Sequence, residues 1–251
     1  MNKVILSLED ITVSFDGFKA IQGVSSKIEQ GELRFFIGPN GAGKTTLLDV
    51  ICGKVKPVTG RVVFKQKEDV LKKKEHEIVE MGIGRKFQVP SVFASLTVFE
   101  NMELSIKNSR TLLSSIFSPL TSMQRQKIDE TLETMGLINK KQSTARTLSH
   151  GEKQWLEIGM LLLQEPDLLL LDEPVAGMGK AETEKTGNLL KDIARFCSVI
   201  VVEHDMEFVR NFASRVTVLH EGRILCEGTM DQIRKDQRVI DVYLGRGEKS
   251  A

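Results

Sequence analysis

Apolar and polar positions alternate through VILSLEDITVSF, residues 4–15, with the period of a half-buried strand. The turn-rich GFKAIQGVSSKIEQGE that follows reads the same way, so residues 1–31 predict an antiparallel β layer. From Leu33 to Cys52 the pattern becomes strand, glycine-rich loop, helix. It resumes near Pro166 as DLLLLDE, helix, SVIVVEHD, helix, RVTVLHEGRILCEG. Strands alternating with helices predict a parallel α/β sheet. Between these parts, residues 89–163 are mostly helical in pattern, SMQRQKIDETLETMGL being the clearest amphipathic run. In LSHGEKQWLEIGM, Ser149 and Glu152 have capping-box spacing, and Trp155, Ile158 and Leu162 place one apolar stripe on the helix that follows. Gly151 in its first turn lowers helix propensity and leaves the backbone open to another molecule.

The 251 residues suit a single domain: an α/β core with its β layer over 1–88 and 164–251, and an inserted α-helical subdomain over 89–163. Thirty-five Lys+Arg against 34 Asp+Glu give a net charge of +1, which argues against a broad nucleic-acid surface. Cys52, Cys197 and Cys226 are scattered without metal spacing and read as reduced cytosolic thiols. The N-terminus lacks the apolar region and cleavage site of a signal peptide, and no run approaches the ~18 apolar residues of a membrane span. The charged KQKEDVLKKKEHE reads as an exposed loop and solvated helix.

GPNGAGKTT, comprising Gly38, Pro39, Asn40, Gly41, Ala42, Gly43, Lys44, Thr45 and Thr46, fits G-x-x-x-x-G-K-[ST] between a strand (ELRFFI) and a helix (TLLDVIC). Phosphates need a concave array of N–H donors, which glycines and a helix N-terminus supply. Lys44 then bridges the β- and γ-phosphates of a nucleotide, and the Thr45 hydroxyl holds Mg²⁺. In LLLLDEP, Asp172 and Glu173 emerge from a buried strand at its C-terminal end, where open α/β sheets bind ligands. Asp172 is expected to orient the metal shell, and Glu173 to take a proton from, or position, the attacking water. His204 ends another such strand, either as a satisfied core or edge histidine or as a γ-phosphate sensor.

These motifs, with FQ at Phe87 and Gln88, LSHGE and VVEHD, occur in the order and spacing of ABC-type ATPases and span nearly the whole chain. HGEKQWLEIGMLL, DEPVAGM, VVEHDMEFV and the terminal VIDVYLGR are similar to the ATP-binding subunits of branched-chain amino acid and urea-type ABC importers, most of all to the urea (UrtD) type. The resemblance implies a P-loop NTPase fold with a RecA-like core, ATP hydrolysis with Mg²⁺, and a place at the cytoplasmic face of the inner membrane. It implies transmembrane permease subunits as partners, a second cassette that is either different or a copy of this chain, and, indirectly, an extracytoplasmic solute-binding protein.

By the same resemblance, two cassettes pack head to tail, so that Ser149 and the backbone at Gly151 meet the γ-phosphate of the partner's ATP. Gln88 resembles the glutamine that touches Mg²⁺ or water and links to the helical subdomain. Phe15 resembles the aromatic stacked on adenine, with Phe18 as rival and a strand-face core role as the alternative. VPSVFASLTVFENM resembles the wall of the groove that receives a permease helix, with a core role as the alternative for each of its apolar residues. Two positions depart from the pattern. Glu152 replaces the usual glutamine and brings a negative charge near a phosphate site, which a shifted pKa or a ribose contact would resolve. Gly179 replaces the usual aspartate of the loop after DEPVAGM.

Overall fold

The computed structural model describes residues 3–86, 91–106 and 120–244. Phe87 and Gln88 lie outside the described residues, as do the first two residues of VPSVFASLTVFENM and the last two of VIDVYLGR. Strands β1 (Val4–Phe15) and β2 (Phe18–Glu29) form the expected hairpin, followed by β3 (Leu33–Ile37) and helix α1 (Lys44–Ile51). Next come β4 (Thr59–Phe64), β5 (Glu68–Asp69), α2 (Glu75–Glu80) and β6 (Ile83–Lys86). Helices α3 (Val98–Ser105), α4 (Ser122–Met135) and α5 (His150–Leu162) precede β7 (Leu168–Asp172). The chain continues through α6 (Lys180–Ile193), β8 (Ser198–Val202), α7 (Met206–Phe212), β9 (Arg215–His220), β10 (Arg223–Gly228), α8 (Met230–Ile233) and α9 (Gln237–Leu244).

Two sheets result. One is antiparallel with order β2-β1-β4-β5, and the other has order β10-β9-β3-β8-β7-β6. In the second, β9, β3, β8, β7 and β6 are parallel, and β10 closes it antiparallel to β9. Burial on both faces explains the unbroken apolar runs, because alternate residues serve two cores. Phe35, Leu169, Leu171, Val199 and Val201 face the helices α5, α6 and α7, whereas Phe36, Leu168, Leu170, Ile200 and Val202 face α1 and the antiparallel sheet.

Helix ends follow local chemistry. Thr121 caps α4 in a box with Gln124, and Gly136, with φ 68°, ends it in the left-handed conformation. Strands β4 and β6 were not expected from the pattern. In β6, IGRK carries two charges that only tertiary partners make tolerable inside: Arg85 donates to Asp49 at 2.7 Å, and Lys86 lies 3.7 Å from Glu157. Among the described residues no helix is long and apolar enough to cross a membrane.

Candidate functional site

The parallel strands β3, β7 and β8 end together, and the loops leaving them gather Lys44, Thr45, Asp172, Glu173 and His204. After β3 the chain enters the Gly38–Gly43 loop with Gly38 at φ 151° and Gly41 at φ 78°. A Cβ on Gly38 would lie 2.1 Å from the Leu219 carbonyl oxygen of β9, so only glycine fits there. The first amides of α1 have no partners within their own helix, and the Gly43 N-cap supplies no side-chain cap for them. Ala42 N–H donates to the Pro39 carbonyl at 3.1 Å, which closes the turn around Asn40 and Gly41, both exposed.

Lys44 is buried, and its ammonium donates to the carbonyls of Gly38 at 2.7 Å and Pro39 at 3.1 Å. Burial holds its pKa below the usual lysine range, and the charges of Glu173, Asp172 and Glu203 oppose that shift. The lysine is therefore tethered across its own loop by two neutral acceptors, which an anionic phosphate oxygen would outcompete.

Asp172 ends β7 almost fully buried. Burial raises its carboxyl pKa, while a hydrogen bond with Thr45 and the Arg85 guanidinium at 3.9 Å pull it back down. Its Oδ1 is buried with no hydrogen-bond partner. An orphaned carboxylate oxygen beside a threonine hydroxyl is a donor set that suits a hard divalent cation. Among the described residues no cluster of three His, Cys, Asp or Glu could hold a metal, so the remaining ligands would come from phosphate and water.

Glu173 follows with φ 47°, left-handed for a residue that is not glycine. Its N–H donates to Val202 at 3.0 Å, pinning the turn to β8, and its Oε1 lies 3.5 Å from His204 Nδ1. Strain of this kind costs about 1–2 kcal/mol and aims the side chain away from the strand direction. His204 is largely exposed, so the core alternative does not hold for it. Glu203, which the sequence did not single out, is buried and accepts from the N–H groups of Val175 (3.4 Å), His204 (3.1 Å) and Asp205 (3.5 Å). It thus fixes both loops that carry Glu173 and His204. A charged residue closing five buried strand positions was the available signal.

Phe15 and Phe18 pair at the tip of the β1–β2 hairpin, and both are exposed, which removes the core alternative for Phe15. The hairpin backs the phosphate loop close to its tip, since a Cβ on Gly43 would lie 2.7 Å from the Ala20 carbonyl.

Ser149, Gly151 and Glu152 gather elsewhere, at the N-terminus of α5 against α6. The expected capping box is present, with Glu152 N–H donating to Ser149 Oγ at 3.2 Å and Ser149 N–H to Glu152 Oε2 at 3.0 Å. Glu152 also pairs with Lys140 at 2.6 Å. Although partial burial pushes its pKa up, the bonds from Lys140 and Ser149 outweigh this and hold it below the usual range. Its charge is therefore retained and balanced within the chain. Gly151 requires a correction: its open side is not free in this conformation. A Cβ there would lie 2.6 Å from Glu182 Oε1 of α6, so another part of the same chain takes the space. Gly179 is the N-cap of α6, and its N–H donates to Glu182 Oε2 at 3.2 Å.

The profile of the ABC transporter family matches residues 21–176, and that of the branched-chain amino acid ATP-binding cassette transporter family matches residues 223–249. The high-affinity branched-chain amino acid transport ATP-binding protein LivG of Salmonella typhimurium is 31% identical, over 98% of this chain and 99% of its own. The ADP conformation of MJ1267, an ATP-binding cassette of an ABC transporter, superposes with TM-score 0.84 and 31% identity, covering 96% of this chain and 99% of that one. A dimeric post-hydrolysis state of the cassette MJ0796 with ADP and Pi is similar at TM-score 0.75 and 26% identity, covering 90% and 99%.

Proposed function

The chain belongs to the ATP-binding cassette family of ABC transporters, which hydrolyses ATP, and from that premise we propose that it is the ATP-hydrolysing subunit of an importer for a small solute. The observation that carries this reading is the convergence of Lys44, Thr45, Asp172, Glu173 and His204 at the ends of three parallel strands. Gly38 to Thr46 cradle the triphosphate, Lys44 exchanges its two carbonyl acceptors for β- and γ-phosphate oxygens, and Phe15 or Phe18 stacks on the base. Thr45 and Asp172, with help from Gln88, would hold Mg²⁺, which would supply positive charge against those oxygens. Glu173 positions and deprotonates the attacking water, and His204, held near Glu173, contacts the γ-phosphate. Ser149 and the Gly151 turn complete the site of a partner cassette, so ATP joins the two and hydrolysis lets them part.

The working assembly in this reading sits at the cytoplasmic face of the inner membrane, with permease subunits, a second cassette and a solute-binding protein. The LivG relatives and the C-terminal family segment support branched-chain amino acids as the cargo class. The urea alternative rests on the resemblance of DEPVAGM and VVEHDMEFV alone, and the relatives named above do not support it. Uptake of labelled leucine and labelled urea into vesicles bearing the co-purified complex separates them, and transport of neither defeats both cargo assignments. For the chemistry, Glu173→Gln is expected to lower turnover at least about a hundredfold while ATP still binds, since a transition-state role is lost and the phosphate cradle is intact. Near-parental turnover would remove Glu173 from the mechanism.

A further inference from the structure

The carboxylate of Glu182 stands where Ser149 and Gly151 present their outward side. Ser149 Oγ donates its one hydrogen to Glu182 Oε1 at 3.1 Å, while one of its two lone pairs accepts from Glu152 N–H, so its only proton is committed within the chain. The other oxygen, Oε2, accepts from Gly179 N–H, in the turn that descends from Glu173. One carboxylate therefore bridges the start of α5 and the loop after β7. The bridge is set in a packed helix pair. Trp155 Nε1 of α5 donates to Thr186 Oγ1 of α6 at 2.9 Å, and Lys185 Nζ lies 3.7 Å from the Trp155 ring centroid. His150 Nε2 is bonded to the Ala176 carbonyl at 3.1 Å, a second tie to the same loop. Among the described residues Glu182 forms no ion pair, and its carboxylate is held by the Ser149 hydroxyl, the Gly179 N–H and the first turn of α6.

We propose that Glu182 is a positioning residue that holds Ser149 in the unpaired subunit, and that ATP-driven pairing requires Ser149 to redirect its hydroxyl from this carboxylate to a phosphate oxygen. The inference rests on the proposed contact between Ser149 and the triphosphate of a partner cassette. Two oxyanions cannot share one hydroxyl proton, and their like charges repel at close range. Glu182 thus sets a threshold: it keeps the turn ordered without nucleotide and raises the ATP concentration needed to close the pair. The same carboxylate caps α6 through Gly179 N–H, so the residue that holds Ser149 is also tied to the turn that leads back to Glu173.

The test uses the membrane complex co-purified with the full chain, and measures ATPase rate against ATP concentration. Glu182→Gln keeps the shape and removes the charge. It is expected to lower the KM for ATP about threefold to tenfold with kcat unchanged within about twofold, the size of one charge-assisted hydrogen bond exchanged for a neutral one. Glu182→Asp, too short to reach Ser149, is expected to shift KM in the same direction. ATP binding to the separate chain should not change, because Glu182 is not among the charges that act on Lys44. A merely structural role would instead lower kcat or the melting temperature and leave KM alone, and that outcome overturns the proposal. Ser149→Ala separates the two layers. If it loses turnover while Glu182→Gln behaves as the parent, the Glu182 inference falls alone. Parental turnover of Ser149→Ala overturns the signature contact and the inference with it.

Discussion

Gly38 and Gly41 belong to one motif yet answer to different constraints, and substituting each by alanine separates folding from binding. At Gly38 the new methyl would meet the Leu219 carbonyl at 2.1 Å, a backbone atom that cannot yield without moving β9. Gly38→Ala is expected to lose about 3 kcal/mol of stability, read from denaturant unfolding. At Gly41 the methyl would meet nothing within 4 Å, and only the left-handed φ of 78° costs, about 1–2 kcal/mol. Gly41→Ala should therefore fold, yet bind ATP at least about tenfold more weakly, because the methyl occupies the space a phosphate needs to approach the loop amides. Calorimetric titration with ATP reads this, and unchanged affinity would mean that phosphate does not enter from that side. The motif was legible because its residues lie together in sequence. Glu182 and Glu203 were not, since each matters through contacts with α5 or with two loops that only the folded chain brings near. The spacing that identified Ser149 could not reveal which acceptor its hydroxyl finds.

Among elements, β6 and α5 depend on each other. Lys86 is fully buried at the end of β6, and Glu157 of α5 lies 3.7 Å from it while accepting from Ser91 N–H at 3.1 Å. One glutamate thus holds the chain on both sides of residues 87–90, where the candidate Gln88 falls. Burial lowers the Lys86 pKa and raises that of Glu157, and each partner's charge acts against the other's shift. Glu157→Leu alone removes a counter-charge from a buried ammonium and is expected to cost about 3 kcal/mol. Lys86→Met together with Glu157→Leu should regain most of that loss, since a well-packed apolar pair replaces a buried ion pair at little cost. Equal stability of the single and double variants would show that the pair is not coupled. This also explains which elements the pattern disclosed. β7 and β8 are apolar throughout and were readable, whereas β6 ends in Arg85 and Lys86, whose burial depends on Asp49 and Glu157 from distant helices.

For the whole molecule, the question is how the antiparallel sheet, which carries Phe15 and Phe18, keeps its place against the six-stranded sheet, which carries the phosphate loop. Apolar burial between them is non-directional, but the Arg34 network is not. Arg34 of β3 is 1% exposed and uses all its faces: Nε to Glu32 at 2.6 Å, one terminal nitrogen to Thr217 at 2.8 Å and Glu227 at 2.9 Å, and the other to the Lys27 carbonyl of β2 at 3.0 Å. Glu227 also accepts from Ser26 of β2 at 2.6 Å and from Thr217 at 2.7 Å. The guanidinium therefore fixes the register of β2 over β3, β9 and β10, which apolar contacts alone would let slide. Arg34→Ala removes the counter-charge of Glu32 and Glu227 and the donor to the Lys27 carbonyl, for an expected loss of about 3–5 kcal/mol. In a chain of this length that corresponds to a fall of about 10 °C in Tm by scanning calorimetry. Glu227→Gln retains an acceptor for Arg34 and should fall by less than half as much. If Arg34→Ala melts within a few degrees of the parent, the two sheets are held by their apolar faces, and the hairpin that carries Phe15 and Phe18 is positioned without this network.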